Sequence, residues 1–423
     1  MSGIRLQLPT IQNWSCHSCS GCCRQHDIEI TEEEKDRIEK QNWTPADGVP
    51  ASTPAIVTSR RLFGKKRHTL GHSPDGACVF LDDKGLCRIH AKFGEPAKPL
   101  ACRLYPYAFH PAGKTVVVSL RYSCPSVVAN KGRSLDAQKD ELRRLAHDVV
   151  PSSYRQLPAP HVSPHQRLDW PDFLSLVDAV DGVLATPRAP LLVRLLRALS
   201  LVDLIGQSKF EKIGGSRLKE FLDLVVQASQ AEVAAEDITP REPTAAGKMQ
   251  FRMLVAQYAR KDTHADLARG WRNRWRLLRS AMAFAKGNGT IPILQENFGE
   301  TAFSDLEGEF GGVTREMDEI LTRYFRVKVQ GLHFCGAAYY DVPFTEGFQS
   351  LALMFPVVMW LARWLAVGDR RTTITTDDVS RALAVADHHH GYSPIFGSPS
   401  FRRRVRLLAS MKDIERLCAW YGR

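Results

Sequence analysis

Several things are missing from this chain, and each absence narrows the reading. Its start, MSGIRLQLPT, has no apolar signal core and no cleavage pattern, so a cytoplasmic, unsecreted protein is expected. The one long apolar run is FQSLALMFPVVMWLARWLAV, from Phe348 to Val367. It has the length to span a bilayer, yet Pro356 and Arg363 interrupt it and no second run accompanies it. A buried helix is expected there, and no membrane. The chain has no G-x-G-x-x-G, no P-loop, no H-E-x-x-H and no nucleophile elbow. The common nucleotide, zinc-protease and hydrolase signatures are therefore lacking. Internal repeats and low-complexity tracts are lacking as well.

What is present is a chain of 423 residues with a formal charge of +11. That length suits two or three domains and a large core. Basic clusters stand at RRLFGKKRH (Arg60 to His68), RGWRNRWRLLR (Arg269 to Arg279) and FRRRVR (Phe401 to Arg406). They are far apart and match no nucleic-acid motif, so solvated helix faces compete with a surface for nucleic acid or an acidic protein.

Cysteine divides the chain unevenly. Eight of the ten lie between Cys16 and Cys124, while Cys335 and Cys418 stand alone in apolar sequence and are expected to be small buried residues. The first segment is loop-rich. DIEIT (Asp27 to Thr31) alternates like a short strand, and Thr31 with Glu34 forms a capping box that opens a helix running to about Gln41. CVFLDDKGLCRIH (Cys78 to His90) and the stretch Cys102 to Cys124 both read as hairpins. LPAPHVSPHQR reads as a linker. Helical periodicity then dominates, in Pro190 to Ile205, Arg217 to Ala228, Gln250 to Arg260, Trp271 to Ala285, Val313 to Val327 and Thr375 to His389. DITPREPTAAG (Asp237 to Gly247) is expected to be an exposed loop. DHHHGY (Asp387 to Tyr392) reads better as a polar helix end than as a metal site.

The stretch WSCHSCSGCC carries the chemistry. Cys16, Cys19, Cys22 and Cys23 fall within eight positions, followed by Cys78, Cys87, Cys102 and Cys124. Cytosolic thiols stay reduced, which argues against disulfides. A thioredoxin-like C-x-x-C needs a βαβ context that does not follow. Crowded thiolates repel, and a cation offsets the repulsion. All eight cysteines are therefore candidate metal ligands, with binding energy that is also folding energy. The overlapping triple with no required histidine leans towards an iron–sulfur cluster of the 4Fe–4S kind, and zinc stays open. Eight thiolates would serve one or two sites. Lys98 and Arg103 flank Cys102 and suit charge compensation or a plain salt bridge; His90 suits a ligand or a supporting hydrogen bond.

CHSCSGCC, CVFLDDKGLCRIH and KPLACRLYP together resemble the YkgJ-like CxxCxxCC cysteine-cluster family, described as zinc- or iron-chelating. The matching residues are Cys16, Cys19, Cys22, Cys23, Cys78, Cys87, His90, Lys98, Pro99, Cys102, Arg103, Tyr105 and Pro106. The flagellin lysine N-methylases belong to the same broad family, and YFRVKVQGLHF with the Phe348 run is similar to them in character only. The resemblance implies metal chelation and, more remotely, a protein lysine N-methylase-like enzyme using S-adenosylmethionine.

The expected fold class is α+β: a small metal-stapled domain (10–130), a helix and linker (131–168) and a larger mostly helical domain (169–423). The leading functional expectation is a metal-binding protein whose cluster is structural or redox-active and whose helical part binds another protein. The methylase-like enzyme and a nucleic-acid-binding protein are the alternatives.

Overall fold

A computed structural model describes residues 3–60, 66–211, 213–234, 238–261 and 270–423. Residues 61–65 of the first basic cluster, Arg269 of the second and Asp237 lie outside the described residues.

The amino-terminal part contains the strands and the carboxy-terminal part is mostly helical, an α+β architecture. Thr31 caps the helix Glu32–Lys40 with the reciprocal Thr31–Glu34 bonds its sequence encodes. Glu29–Ile30, Lys66–Leu70 and Ile56–Arg60 form a small sheet with Lys66–Leu70 in the centre. The Cys102 to Cys124 stretch does form a hairpin. Tyr107–Ala112 pairs antiparallel with Thr115–Leu120, and Leu6–Gln7 adds a parallel strand on the other side. The expected Cys78 to His90 hairpin is reduced to a single bridge, Leu81 to Cys87. Asp82 accepts from the amides of Lys84 and Leu86, which closes a tight turn. Arg88–Phe93 then turns helical. The turn satisfies its own backbone groups, so no long ladder is needed. The expected linker carries a short antiparallel pair, His161–Ser163 with Gln166–Arg167.

Two apolar cores result. The smaller gathers Ile30, Ile38, Val49, Leu70, Cys78, Val79, Phe80 and Ile89, with Cys23, Cys87 and Cys102 packed against it. The larger runs from Leu6 through Val116, Val118 and Cys124 to Tyr421. The hairpin belongs to this larger core because its strand Thr115–Leu120 lies against the helix Arg315–Gln330. At that contact a side chain on Gly331 would meet Ser119 Cβ at 2.5 Å.

The apolar run is the centre of the helical part. The stretch Phe344–Gly368 is the one helical segment among the described residues long and apolar enough to cross a membrane, and 89% of its most apolar window is buried inside the fold. Arg363, which breaks the run in sequence, is fully buried. Its guanidinium donates to the carbonyls of Leu306, Gly308, Tyr421 and Arg423 at 2.8–3.1 Å. Burial lowers its pKa to about 10. Donation to carbonyls is what lets a charge sit in this core.

Candidate metal centre

Backbone geometry first brings the cysteines within reach of one another. Ser18 and Ser20, between Cys16, Cys19 and Cys22, have left-handed φ of 54° and 61°. The loop therefore coils tightly before the short helix Gly21–Gln25 presents Cys22 and Cys23. The amide of Cys78 donates to the carbonyl of Cys23 at 2.8 Å, pinning the second segment to the first. Gly85, at φ 79°, lets the Asp82–Gly85 turn press on the loop: a side chain there would meet the Ser18 carbonyl oxygen at 2.5 Å. Cys87 immediately precedes the helix Arg88–Phe93, and Cys102 sits within Leu100–Leu104.

Two of the thiols are in contact. Cys22 Sγ lies 3.9 Å from Cys23 Sγ. That hydrogen bond, with burial, pushes the Cys22 thiol far up, while Lys98 opposes the rise. Burial pushes Cys78 up to about 11, and Cys87 and Cys22 add to it. Burial also raises Cys102; Lys98 opposes this, while Cys78, Cys87 and Cys22 reinforce it. These five cysteines come from four separate stretches: Cys23 acts on Cys22, Cys87 and Cys22 act on Cys78, and Cys78, Cys87 and Cys22 act on Cys102. Cys124 is raised chiefly by burial and senses Cys19 instead, whereas Cys16 is exposed. By these charge effects Cys22, Cys23, Cys78, Cys87 and Cys102 go together as a five-thiol group, and Cys124 goes with Cys19. Cys335 and Cys418 lie buried in the large core, away from both.

The flanking charges have different roles. The Lys98 charge opposes the rise at Cys22 and Cys102, whereas Arg103 is engaged by Glu95 at 2.8 Å and Asp148 at 3.3 Å. His90 is exposed on its helix.

The residues suit a metal. A tetrahedral zinc with sulfur at about 2.3 Å separates neighbouring ligand sulfurs by roughly 3.8 Å, close to the Cys22–Cys23 spacing. Soft thiolates favour zinc and iron–sulfur over hard cations. Among the described residues no three His, Cys, Asp or Glu side chains are close enough to hold an ion; the thiols are gathered without a closed ligand set.

Residues 15–125 match the CxxCxxCC family model, "Putative zinc- or iron-chelating domain". The match contains all eight clustered cysteines and stops before the helical part. No curated protein and no solved structure matches the chain.

Beside the sulfurs opens a cleft of about 790 Å³. Its lining includes His17 and Cys19, Pro125 and Ser126, and Arg381 and His388 of the helix Thr376–His389. A cleft of this size accommodates a small molecule.

Behind it runs a buried polar chain that sequence reading missed. Lys328 and Asp387 are fully buried and 2.7 Å apart. Asp387 also accepts from the Tyr122 amide at 2.5 Å, and Lys328 donates to the Leu120 carbonyl at 3.1 Å. Arg121 stacks on Tyr392 at 3.6 Å, and His26 lies between Tyr105 and His388 at 5.0 and 4.9 Å. Burial holds His26 and His333 well below the usual histidine range, with nearby cations adding to the effect. YFRVKVQGLHF and DHHHGY each drew notice as motifs, but the tertiary fold makes them partners. DHHHGY is accordingly a buried junction, with Asp387, His389 and His390 all in the interior, rather than a polar helix end.

Proposed function

We propose that this protein binds a thiolate-held metal centre, an iron–sulfur cluster in preference to zinc, and that the centre is structural or redox-active. The observation that carries the reading is the match of residues 15–125 to a zinc- or iron-chelating domain, supported by the Cys22–Cys23 contact at 3.9 Å and by the charge effects that link Cys22, Cys78, Cys87 and Cys102. Lys98 would offset part of the negative charge of a thiolate-ligated centre. Cys16, Cys19 and Cys124 are the ligands available for closing the set or for a second site. Purified without oxygen, the protein is expected to be brown and to contain iron and acid-labile sulfide. A colourless protein with stoichiometric zinc from iron-replete cells would overturn the iron–sulfur assignment and leave a zinc site. A protein without either metal would overturn the chelating role.

The cleft favours a second reading, an enzyme whose centre stands beside a bound small molecule, with the methylase-like use of S-adenosylmethionine as one form. Its support is Cys19 in the cleft wall. Equilibrium dialysis of the metal-loaded protein against labelled S-adenosylmethionine tests that form: saturable binding lost in Arg381→Glu supports it, and no binding removes it.

A further inference from the structure

The helix Trp271–Lys286 carries an apolar stripe that is exposed among the described residues. Trp271 is 68% exposed, Trp275 58%, Leu278 50% and Met282 47%. Single exposed apolar residues are ordinary, but four in line on one helix are not. The helix is already seated by its other face, through the buried Ser280 and Phe284. The stripe therefore does not hold the helix in place.

Its spacing and borders say what would cover it. The intervals are four, three and four residues, the strict seam of helix-on-helix packing rather than the broad apolar face of a helix lying on lipid. In such packing the residues beside the seam choose the partner through interhelical charge pairs. Here Arg272 and Arg279 directly follow seam residues, Arg276 lies on the same flank, and the helix WRNRWRLLRSAMAFAK contains no Asp or Glu. Arginines bordering the seam repel a second copy of the same face and complement glutamates or aspartates. Trp, Met and Arg are also the residues that interfaces concentrate, with Trp and Arg carrying most of the binding energy.

We infer that this face docks an acidic amphipathic helix of another protein. The inference does not depend on the metal reading. The test uses the full-length, metal-loaded protein and a fluorescein-labelled designed peptide of about four heptads, with Leu at the seam positions and Glu beside them. Anisotropy is expected to show binding that weakens about tenfold or more in Trp275→Ala, as for an interface anchor. The double variant Arg272→Glu/Arg279→Glu is expected to lose that peptide and to gain one carrying Lys in place of Glu. All substituted positions are exposed, and unchanged circular dichroism verifies the fold. Failure of the Glu peptide to bind, or equal binding of the Glu and Lys peptides, overturns the inference. So does Trp275-dependent binding that is tighter to phosphatidylserine vesicles or to a single-stranded oligonucleotide, or Trp275-dependent self-association in sedimentation.

Discussion

Asp387 and Lys328 illustrate what a single side chain decides in this molecule. Burial pushes the Asp387 carboxyl up and the Lys328 ammonium down, and contact at 2.7 Å supplies the opposing attraction. Asp387→Asn would leave a buried ammonium without its counter-charge, so a loss of about 3–5 kcal/mol is expected. Chemical denaturation followed by tryptophan fluorescence measures it. Adding Lys328→Met should recover much of the loss, because the uncompensated charge then disappears. The cysteines divide in the same residue-by-residue way. Cys102→Ser should empty the centre, since it removes a member of the five-thiol group. Cys335→Ser and Cys418→Ser should leave metal content unchanged while lowering stability, because each introduces a hydroxyl into the apolar core. Metal analysis of the three variants distinguishes ligand from core cysteines; metal loss in either of the last two would place a ligand in the helical part.

Among the elements, the turn Asp82–Gly85 is the most exacting. Gly85 combines a positive φ with a backbone neighbour 2.5 Å from where a side chain would begin, and backbone cannot move aside as a flexible side chain can. Gly85→Ala should shift the Ser18 loop and weaken metal retention. Timed chelator competition should show faster release than from wild type, with Gly76→Ala as the comparison. Gly76 also has a positive φ, 81°, but has open space around its missing side chain. Equal release rates in the two variants would mean that φ strain, rather than contact with the cysteine loop, is what matters. The Thr31 cap and the Thr115–Leu120 strand were legible beforehand because capping and β-branched runs act through near neighbours. The Cys78 to His90 hairpin was misread because its apolar arms serve the small core as turns and a helix start, a choice that packing makes rather than alternation.

At the scale of the whole molecule, the two cores differ in how they are held. The small core has eight buried apolar residues, edged by Cys23, Cys87 and Cys102, and that is little for independent stability. The large core includes the hairpin and nearly every helix. Removing metal from wild type, or making Cys102→Ser, should open the stretch from about Cys23 to Cys102 to limited proteolysis. The hairpin Tyr107–Ala112 with Thr115–Leu120 and the helices beyond it should stay protected. Fragments mapped by mass decide the matter. Equal protection of the small core with and without metal would show that it folds unaided, and that the centre serves chemistry instead.

The sequence by itself determined that eight cysteines are concentrated ahead of Pro125, that metal chelation is their most economical use, and that long amphipathic helices follow. Those conclusions rest on spacing and periodicity, which act over a few residues. Tertiary structure alone pinned the amide of Cys78 to the carbonyl of Cys23, so that two distant cysteine stretches lie side by side. It alone joined Lys328 to Asp387 and placed Arg103 against Glu95 and Asp148. It also turned Trp271 and Trp275 outward on a helix whose periodicity was plain. Periodicity defines a helix and its apolar stripe, but which side faces the interior depends on every other surface competing to be buried, and no local stretch carries that information.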